Sequence, residues 1–315
     1  MTRSTSCHLL LTLALACLVV MTTETRADDA TANPDDANAL IVLQFIDALF
    51  NQGDADAVTR QVREDYVQHN AAVPDGLDAL RELTPVANVN GVLPTRKIVG
   101  RYTSEDGLVA VYSRVADNDP DDDADVPDLV FVDIFRVEDG WIVEHWDVIQ
   151  LAPVWLASGE LAKPALWAPD APDQAPEALV TAQAERTGDE AANRAVIERL
   201  YAELYNERRV ELVDQLFAQD FRARASDIGS DRDAYRTFIE DLGAQAQFTP
   251  RRMIAQGDLV IAQTHWTTRA EQRGLDFCGW NLGDVFRFDT DGKIAEQWRV
   301  KARVACQSVN AQTPF

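Results

Sequence analysis

One pattern occurs twice along this chain, and that repetition limits the possible folds more than any other feature. Ala39-Leu40-Ile41-Val42-Leu43-Gln44-Phe45-Ile46-Asp47-Ala48-Leu49-Phe50-Asn51 is apolar at helical spacing and closes on an aromatic followed by Asn. Ala195-Val196-Ile197-Glu198-Arg199-Leu200-Tyr201-Ala202-Glu203-Leu204-Tyr205-Asn206 does the same. Leu108-Val109-Ala110-Val111-Tyr112 pairs with Leu259-Val260-Ile261-Ala262-Gln263 as strands. Asp133-Ile134-Phe135-Arg136 then matches Asp284-Val285-Phe286-Arg287, and Gly140 to Trp146 matches Gly292 to Trp298. Each copy reads helix, helix, short strand, helix, then long antiparallel strands, an order that predicts an α+β fold. With 315 residues the chain has room for two such domains. They are placed at 35–152 and 190–310, with a Pro- and Ala-rich linker at 153–189 in which Trp155 and Trp167 suggest some packing against a domain.

The amino terminus reads as an export signal: Arg3, an apolar run from Leu9 to Met21, then Thr25-Arg26-Ala27, with cleavage expected after Ala27. The run is shorter than the roughly 20 residues that a spanning helix needs. Cys17 lies in a sequence that only partly matches a lipoprotein box, so a periplasmic or secreted protein is expected. Removing the signal leaves Cys278 and Cys306, which in an oxidising compartment invite one disulfide. The expected register argues the other way. A loop from Asp289 to Gly292 sets Cys278 opposite Arg303, away from Cys306, and only a bulge near Gly279 or Gly283 would join the sulfurs.

The last hairpin of the first copy holds the candidate chemistry. If Glu138-Asp139-Gly140 forms a three-residue loop, Val137 faces Trp141 and Asp133 faces His145, with Asp147 further along the same side. Phe131, Phe135, Val143 and Ile149 share that side, so three ionisable groups sit among apolar ones, as in a pocket. A two-residue turn would instead set Asp133 against Trp146 and separate the trio. The opposite side carries Ile134, Ile142, Trp146 and Val148, matched by Trp298 in the second copy, and is expected to pair the copies as an internal pseudo-dimer. A second polar cluster, Asp65-Tyr66-Val67-Gln68-His69-Asn70, leads into a Pro-Gly turn and holds one of only four histidines.

These motifs resemble the SnoaL-like branch of the NTF2-like superfamily, specifically the predicted aldol-condensation-catalysing proteins related to polyketide cyclases. Tyr66-Val67-Gln68-His69-Asn70, Val73-Pro74-Asp75-Gly76 and Asp133 through Gln150 carry the resemblance in the first copy, and only the general NTF2-like pattern persists in the second. The resemblance implies two cone-like domains, each a curved antiparallel sheet wrapped on helices around a pocket. It also implies acid–base chemistry without metal, cofactor or covalent intermediate. Asp147 stands where the family's acid–base carboxylate lies, with His145, His69 and Asp133 around it. Asn70, Tyr66, Phe131, Phe135 and Tyr112 are the expected ligand contacts. The second copy has Gln297 for His145, Arg299 for Asp147 and Ala223-Arg224-Ala225 for Gln68-His69-Asn70, and is read as degenerate.

The leading expectation is a lyase, cyclase or isomerase acting on a small enolisable carbonyl compound. The alternative is a non-catalytic periplasmic module binding a small hydrophobic or carbonyl-containing ligand. A net charge of −23 opposes nucleic-acid partners and anionic membranes. No phosphate-binding Gly loop, GxSxG elbow or HExxH motif occurs. The acidic run Asp119 to Asp125 lacks the Gly and Glu of a calcium loop and reads as a solvated connection.

Overall fold

The fold is that of a computed structural model, which describes residues 33–87, 91–117, 129–151, 174–268, 277–306 and 312–315. The expected export signal with Cys17, the residues Trp155 and Trp167, and the run Asp119 to Asp125 lie outside the described residues.

The first repeat opens with α1 (Pro34–Ile46), whose Pro34 occupies the first turn and whose start is capped by the Asn33 side chain. A π-helical turn, Asp47–Asn51, extends it. Then come α2 (Ala57–Gln61), β1 (Val62–Gln68), α3 (Leu77–Arg81), β2 (Thr95–Glu105), β3 (Leu108–Asp117), β4 (Leu129–Glu138) and β5 (Trp141–Leu151). The sheet order is β1-β5-β4-β3-β2, with β1 parallel to β5 and the other pairs antiparallel. One face of this sheet closes over α1, where Val42, Phe45, Ile46, Leu49, Val111, Phe135 and Ile142 form a buried core.

The second repeat follows the same plan: α5 (Glu190–Arg199), a π-helical turn Leu200–Asn206, α6 (Leu212–Leu216), β6 (Phe217–Arg224), α7 (Arg232–Asp241), then β7 (Gln247–Gln256), β8 (Leu259–Thr267), β9 (Trp280–Phe288) and β10 (Ile294–Arg303). Its sheet order, β6-β10-β9-β8-β7, repeats the first. Each repeat is therefore helices packed on one face of a five-stranded sheet, the α+β arrangement.

The outer faces of the two sheets meet. Tyr112, Val132, Ile134, Trp146 and Val148 of the first form one buried cluster with Ile254, Ile261, Val285, Trp298 and Val300 of the second. Burying such a stripe contributes about 25 cal/mol per Å² of apolar area. At one contact a Cβ on Gly283 would lie 2.6 Å from Cβ of Val132, so the sheets touch there where only glycine fits. Val132 and Gly283 hold matching places, each just before the shared Asp of β4 or β9. The contact is therefore asymmetric, a side chain from one repeat filling the gap left by the other.

Three local expectations are corrected. The β4–β5 turn is the two-residue Asp139-Gly140, both with positive φ, so Glu138 faces Trp141. A bulge then leaves Val143 unpaired and shifts the register once more, so that Asp133 faces Asp147 and Phe135 faces His145. Turn and bulge together restore the parity that keeps the trio on one face, and they move Ile142 into the inner core instead of the outer stripe. Next, the segment expected as linker contains α4 (Pro176–Ala184), whose Leu179 and Val180 pack on the first repeat's core. Gln44 donates to Glu177 at 2.9 Å, and Gln183 donates to the Gln256 carbonyl at 3.3 Å. Finally, Cys278 and Cys306 are bonded, with Cα atoms 5.0 Å apart. A bulge between Ile294 and Glu296 sets Arg303 against Trp280, and Cys278 N donates to the Val304 carbonyl while Val304 N donates to that of Gly279, which brings Cys306 within reach. The shift comes from the turn end of the hairpin, far from the glycines expected to supply it.

Candidate functional site

The polar centre of the first repeat lies between β4, β5, β1 and β2. Asp133 is buried on β4. It accepts from the Lys97 ammonium at 2.8 Å and from His145 Nε2 at 3.3 Å, while Ser113 Oγ lies at 3.4 Å. Lys97 was not anticipated. It is itself buried, with its ammonium 4.2 Å from the centre of the Phe131 ring and 4.7 Å from that of Phe50. Its backbone is fixed by the Asn51 side chain, which donates to Lys97 O at 3.0 Å and accepts from Lys97 N at 2.8 Å. The second repeat contains the same clasp, Asn206 on the backbone of Phe248. Matching Lys97 to Phe248 was the available signal, a charge in one copy where the other has an inward aromatic.

Burial works to raise the pKa of Asp133, but Lys97 and His145 outweigh it and hold the carboxyl at about 2. Asp147, directly across the ladder, behaves oppositely. Burial raises its pKa above the ordinary carboxylate range, against the pull of His145, and the Asp133 charge adds to the rise. Asn70 donates to Asp147 Oδ2 at 2.7 Å. Gln68 is a second residue the sequence did not single out. Its Oε1 accepts from Asn70 N at 2.9 Å and lies 3.2 Å from His145 Nδ1, and its amide donates to the Tyr66 hydroxyl at 3.2 Å. Tyr66 accepts that bond, which leaves its own hydroxyl hydrogen to give. Burial, then Asp147 and Asp133, push its pKa well above the usual tyrosine value, so it stays a donor.

Of the expected ligand contacts, Asn70 and Tyr66 therefore belong to this centre. Phe131 lies against Lys97, and Phe135 stacks on His145 with ring centres 4.5 Å apart. Two expectations are overturned. His69 points to the other face of the sheet. There it stacks on Trp146 at 4.7 Å, bonds Glu144 through Nε2 at 2.8 Å, and bonds the Thr313 carbonyl through Nδ1 at 2.6 Å. Residues alternate along β1, so Tyr66, Gln68 and Asn70 reach inward, while His69, stacked on Trp146, meets the site only as part of the wall of a cavity beside Asp147. Tyr112 is likewise on the outer face, buried between the sheets 6.4 Å from Trp298 and closed to a ligand.

Asp133, His145 and Asp147 offer ligand atoms within 4.8 Å of one another, a spacing that a cation could use. Their partners argue for a different use. Lys97 already supplies the positive charge at Asp133, and both His145 nitrogens face oxygens of Gln68 and Asp133. Neither nitrogen is left to coordinate a metal or to touch a ligand. His145 therefore positions Asp133.

Asp147 borders a cavity of about 350 Å³, lined from the first repeat by His69, Asn70, Ala71, Ala72 and Ile149. Asn281, residues 302–305 and Pro314 complete its wall.

The second repeat places a different set at the same points. Asp284 receives Arg299 through two bonds of 2.8 and 3.1 Å, Gln297 at 2.8 Å and the Tyr201 hydroxyl at 2.8 Å. Arg299 also donates to the Tyr205 hydroxyl at 2.9 Å. Tyr235, Phe248 and Phe286 fill the surrounding core. This is a fully buried ion pair in a packed interior.

Among solved structures, a protein described as a ketosteroid isomerase from Kribbella flavida is 20% identical, over 36% of this chain and 80% of its own, with a TM-score of 0.29. A polyketide cyclase by description from Acidithiobacillus ferrooxidans is 17% identical over 36% and 91%, with a TM-score of 0.30. Wild-type IdmH of Streptomyces antibioticus is 18% identical over 35% and 91%, at 0.29. No curated protein matches. The family model described as SnoaL-like domain matches residues 42–145 and again 197–297, one match in each repeat. The chain thus belongs to the SnoaL-like family and carries its domain in tandem.

Proposed function

We propose that the first repeat is a cofactor-independent acid–base site that cyclises or isomerises a small enolisable carbonyl compound by aldol-type chemistry. The observation that carries this is the pair of carboxylates facing one another across β4 and β5 with opposite environments. Asp133 is pinned as an anion by Lys97 and His145, while burial makes Asp147 a stronger base than a carboxylate in water. Two groups driven apart in this way divide the work of fixed charge and proton carrier.

In this reading Asp147 removes the proton on the carbon next to the carbonyl, and the electron pair moves to the carbonyl oxygen as an enolate. The Tyr66 hydroxyl donates to that oxygen. The enolate carbon then forms a bond to a second carbonyl carbon, and the resulting alkoxide takes the proton back from Asp147. Isomerisation differs only in that the proton returns to another carbon. Asn70 holds the Asp147 carboxylate, and the Asp133–His145–Gln68 chain holds Asn70 and Tyr66. The apolar stripe joining the two sheets supports reading the repeats as an internal pseudo-dimer, and the amino-terminal residues support export to the periplasm or medium.

The test is exchange of α-protons with solvent deuterium over a panel of small ketones, in wild type and Asp147→Asn. Exchange in the wild type that is lost in the variant supports the reading. Binding of ketones without exchange would favour the non-catalytic module, and undiminished exchange in the variant would place the base elsewhere.

A further inference from the structure

The cavity beside Asp147 is built by both repeats. Asn281 begins its second wall from β9. The end of β10 and the residues after it, from Ala302 to Ala305, continue the wall, and Pro314 closes one side. Asn281 is 4% exposed, and its amide nitrogen donates to the Asp147 carbonyl at 3.1 Å, which fixes the direction of the side chain. Its Oδ1 is buried and has no partner among the described residues. An acceptor left unsatisfied at a cavity wall costs stability unless a ligand or water supplies the donor.

The second feature is Arg303. It lies at the cavity with its guanidinium 4.9 Å from the centre of the Phe277 ring, and no carboxylate pairs with it among the described residues. Its position is also held firmly. The Cys278–Cys306 bond and the backbone bonds of 2.8 Å that Val304 shares with Cys278 and Gly279 clamp the end of β10 on which it sits.

The geometry points to a role for the second repeat in choosing the substrate of the first: Arg303 binds a carboxylate at one end of an oxo acid whose enolisable carbon lies at Asp147. This rests on the acid–base reading of Asp147 for the chemistry, while the anion site stands on Arg303 alone. A guanidinium and a carboxylate match as planar partners with two parallel bonds. The net charge of −23 opposes an anion at long range, so the selection is made by contact at the wall. A volume of about 350 Å³ suits a small oxo acid, near the lower end of the roughly 300–1,000 Å³ common for ligand sites.

The experiment compares 4-oxopentanoate with its methyl ester, the same ketone without the charge. Dissociation constants and α-proton exchange are measured on wild type, Arg303→Gln, Arg303→Lys and Asp147→Asn. Wild type should bind the acid at least tenfold more tightly than the ester. That ratio should fall close to one in Arg303→Gln, recover in part in Arg303→Lys, and persist in Asp147→Asn. Equal binding of acid and ester by wild type, a ratio unchanged in Arg303→Gln, or no binding of either compound overturns the proposal. Exchange reports separately on Asp147. An acid preference that depends on Arg303 without any exchange keeps the anion site and rejects the acid–base reading. Exchange without that preference does the reverse. Arg303 is exposed at its strand end, so thermal melting of Arg303→Gln close to wild type confirms that the ratio reads recognition and not folding.

Discussion

The inner faces of the two repeats place one Asp at the same point and surround it differently. In the first, Lys97 reaches Asp133 from β2, and the position across the ladder holds a second acid, Asp147. In the second, the β2-equivalent position is Phe248, and the cation comes from across the ladder as Arg299, where Asp147 would be. Both arrangements neutralise the buried Asp. Only the first leaves a half-buried carboxyl facing it without a cation of its own. A single exchange, the cation moving from one strand to another, separates a site with a proton to move from a core that is electrically closed.

The largest expected effect tests that difference directly. Asp147→Asn keeps the shape and removes the carboxylate proposed as the base, and should lower the proposed turnover by about two to four orders of magnitude in a deuterium-exchange assay. The same variant should be more stable than wild type at neutral pH. The folded pKa of Asp147 is raised, so its ionisation costs stability as pH climbs through the unfolded value towards the folded one, and the amide does not ionise. A urea midpoint at pH 7 below that of wild type would contradict this.

Breaking the closed pair should be felt as stability instead of rate. Arg299→Met strands Asp284, which is fully buried, and should cost about 3–5 kcal/mol in urea unfolding. Adding Asp284→Asn should recover much of it, since the loss comes from the orphaned charge. A single variant near wild type would mean that the pair does not close the second core.

The staple belongs to the second repeat alone. Reducing Cys278–Cys306, which closes a loop with a sequence separation of 28, should cost about 3–4 kcal/mol by loop entropy. Thiol counting on denatured protein should show none before reduction. Free thiols would remove the bond and the clamp on Arg303 together.

The smallest effect is a pH slope. Asp133 sits at about 2 in the folded chain against about 3.9 unfolded. Its contribution of about 2.6 kcal/mol is therefore complete well above about pH 4 and is lost as the pH falls towards 2. Lys97→Met should flatten that slope. An unchanged slope would show that Lys97 is not what holds Asp133 ionised.

How far the sequence could be read differs by residue. Asp133, His145 and Asp147 were legible as one face because strand alternation survives any even shift in register, and the actual turn and bulge add up to one. Lys97 was not, because its pairing with Asp133 spans two strands that are not neighbours in sequence. His69 was misplaced by association with Asn70, although alternation along β1 already sends adjacent residues to opposite faces. Tyr112 was misplaced the same way, since an isolated strand does not say which of its faces looks inward.

The repeat, the α+β order and the replacement of His145 and Asp147 by Gln297 and Arg299 in the second copy follow from the sequence by itself, because periodicity and matched motifs are local or compare like with like. Tertiary structure alone decided that Val132 fits against Gly283, that Cys278 meets Cys306, and that Asn281 and Arg303 line the cavity of the other repeat. Those outcomes depend on bulges that shift a strand by one residue and on the docking of two sheets. The contacts between the sheets are made by packing between segments more than a hundred residues apart, and the cysteines, 28 residues apart, meet only through a shift in hairpin register, and no local pattern encodes either.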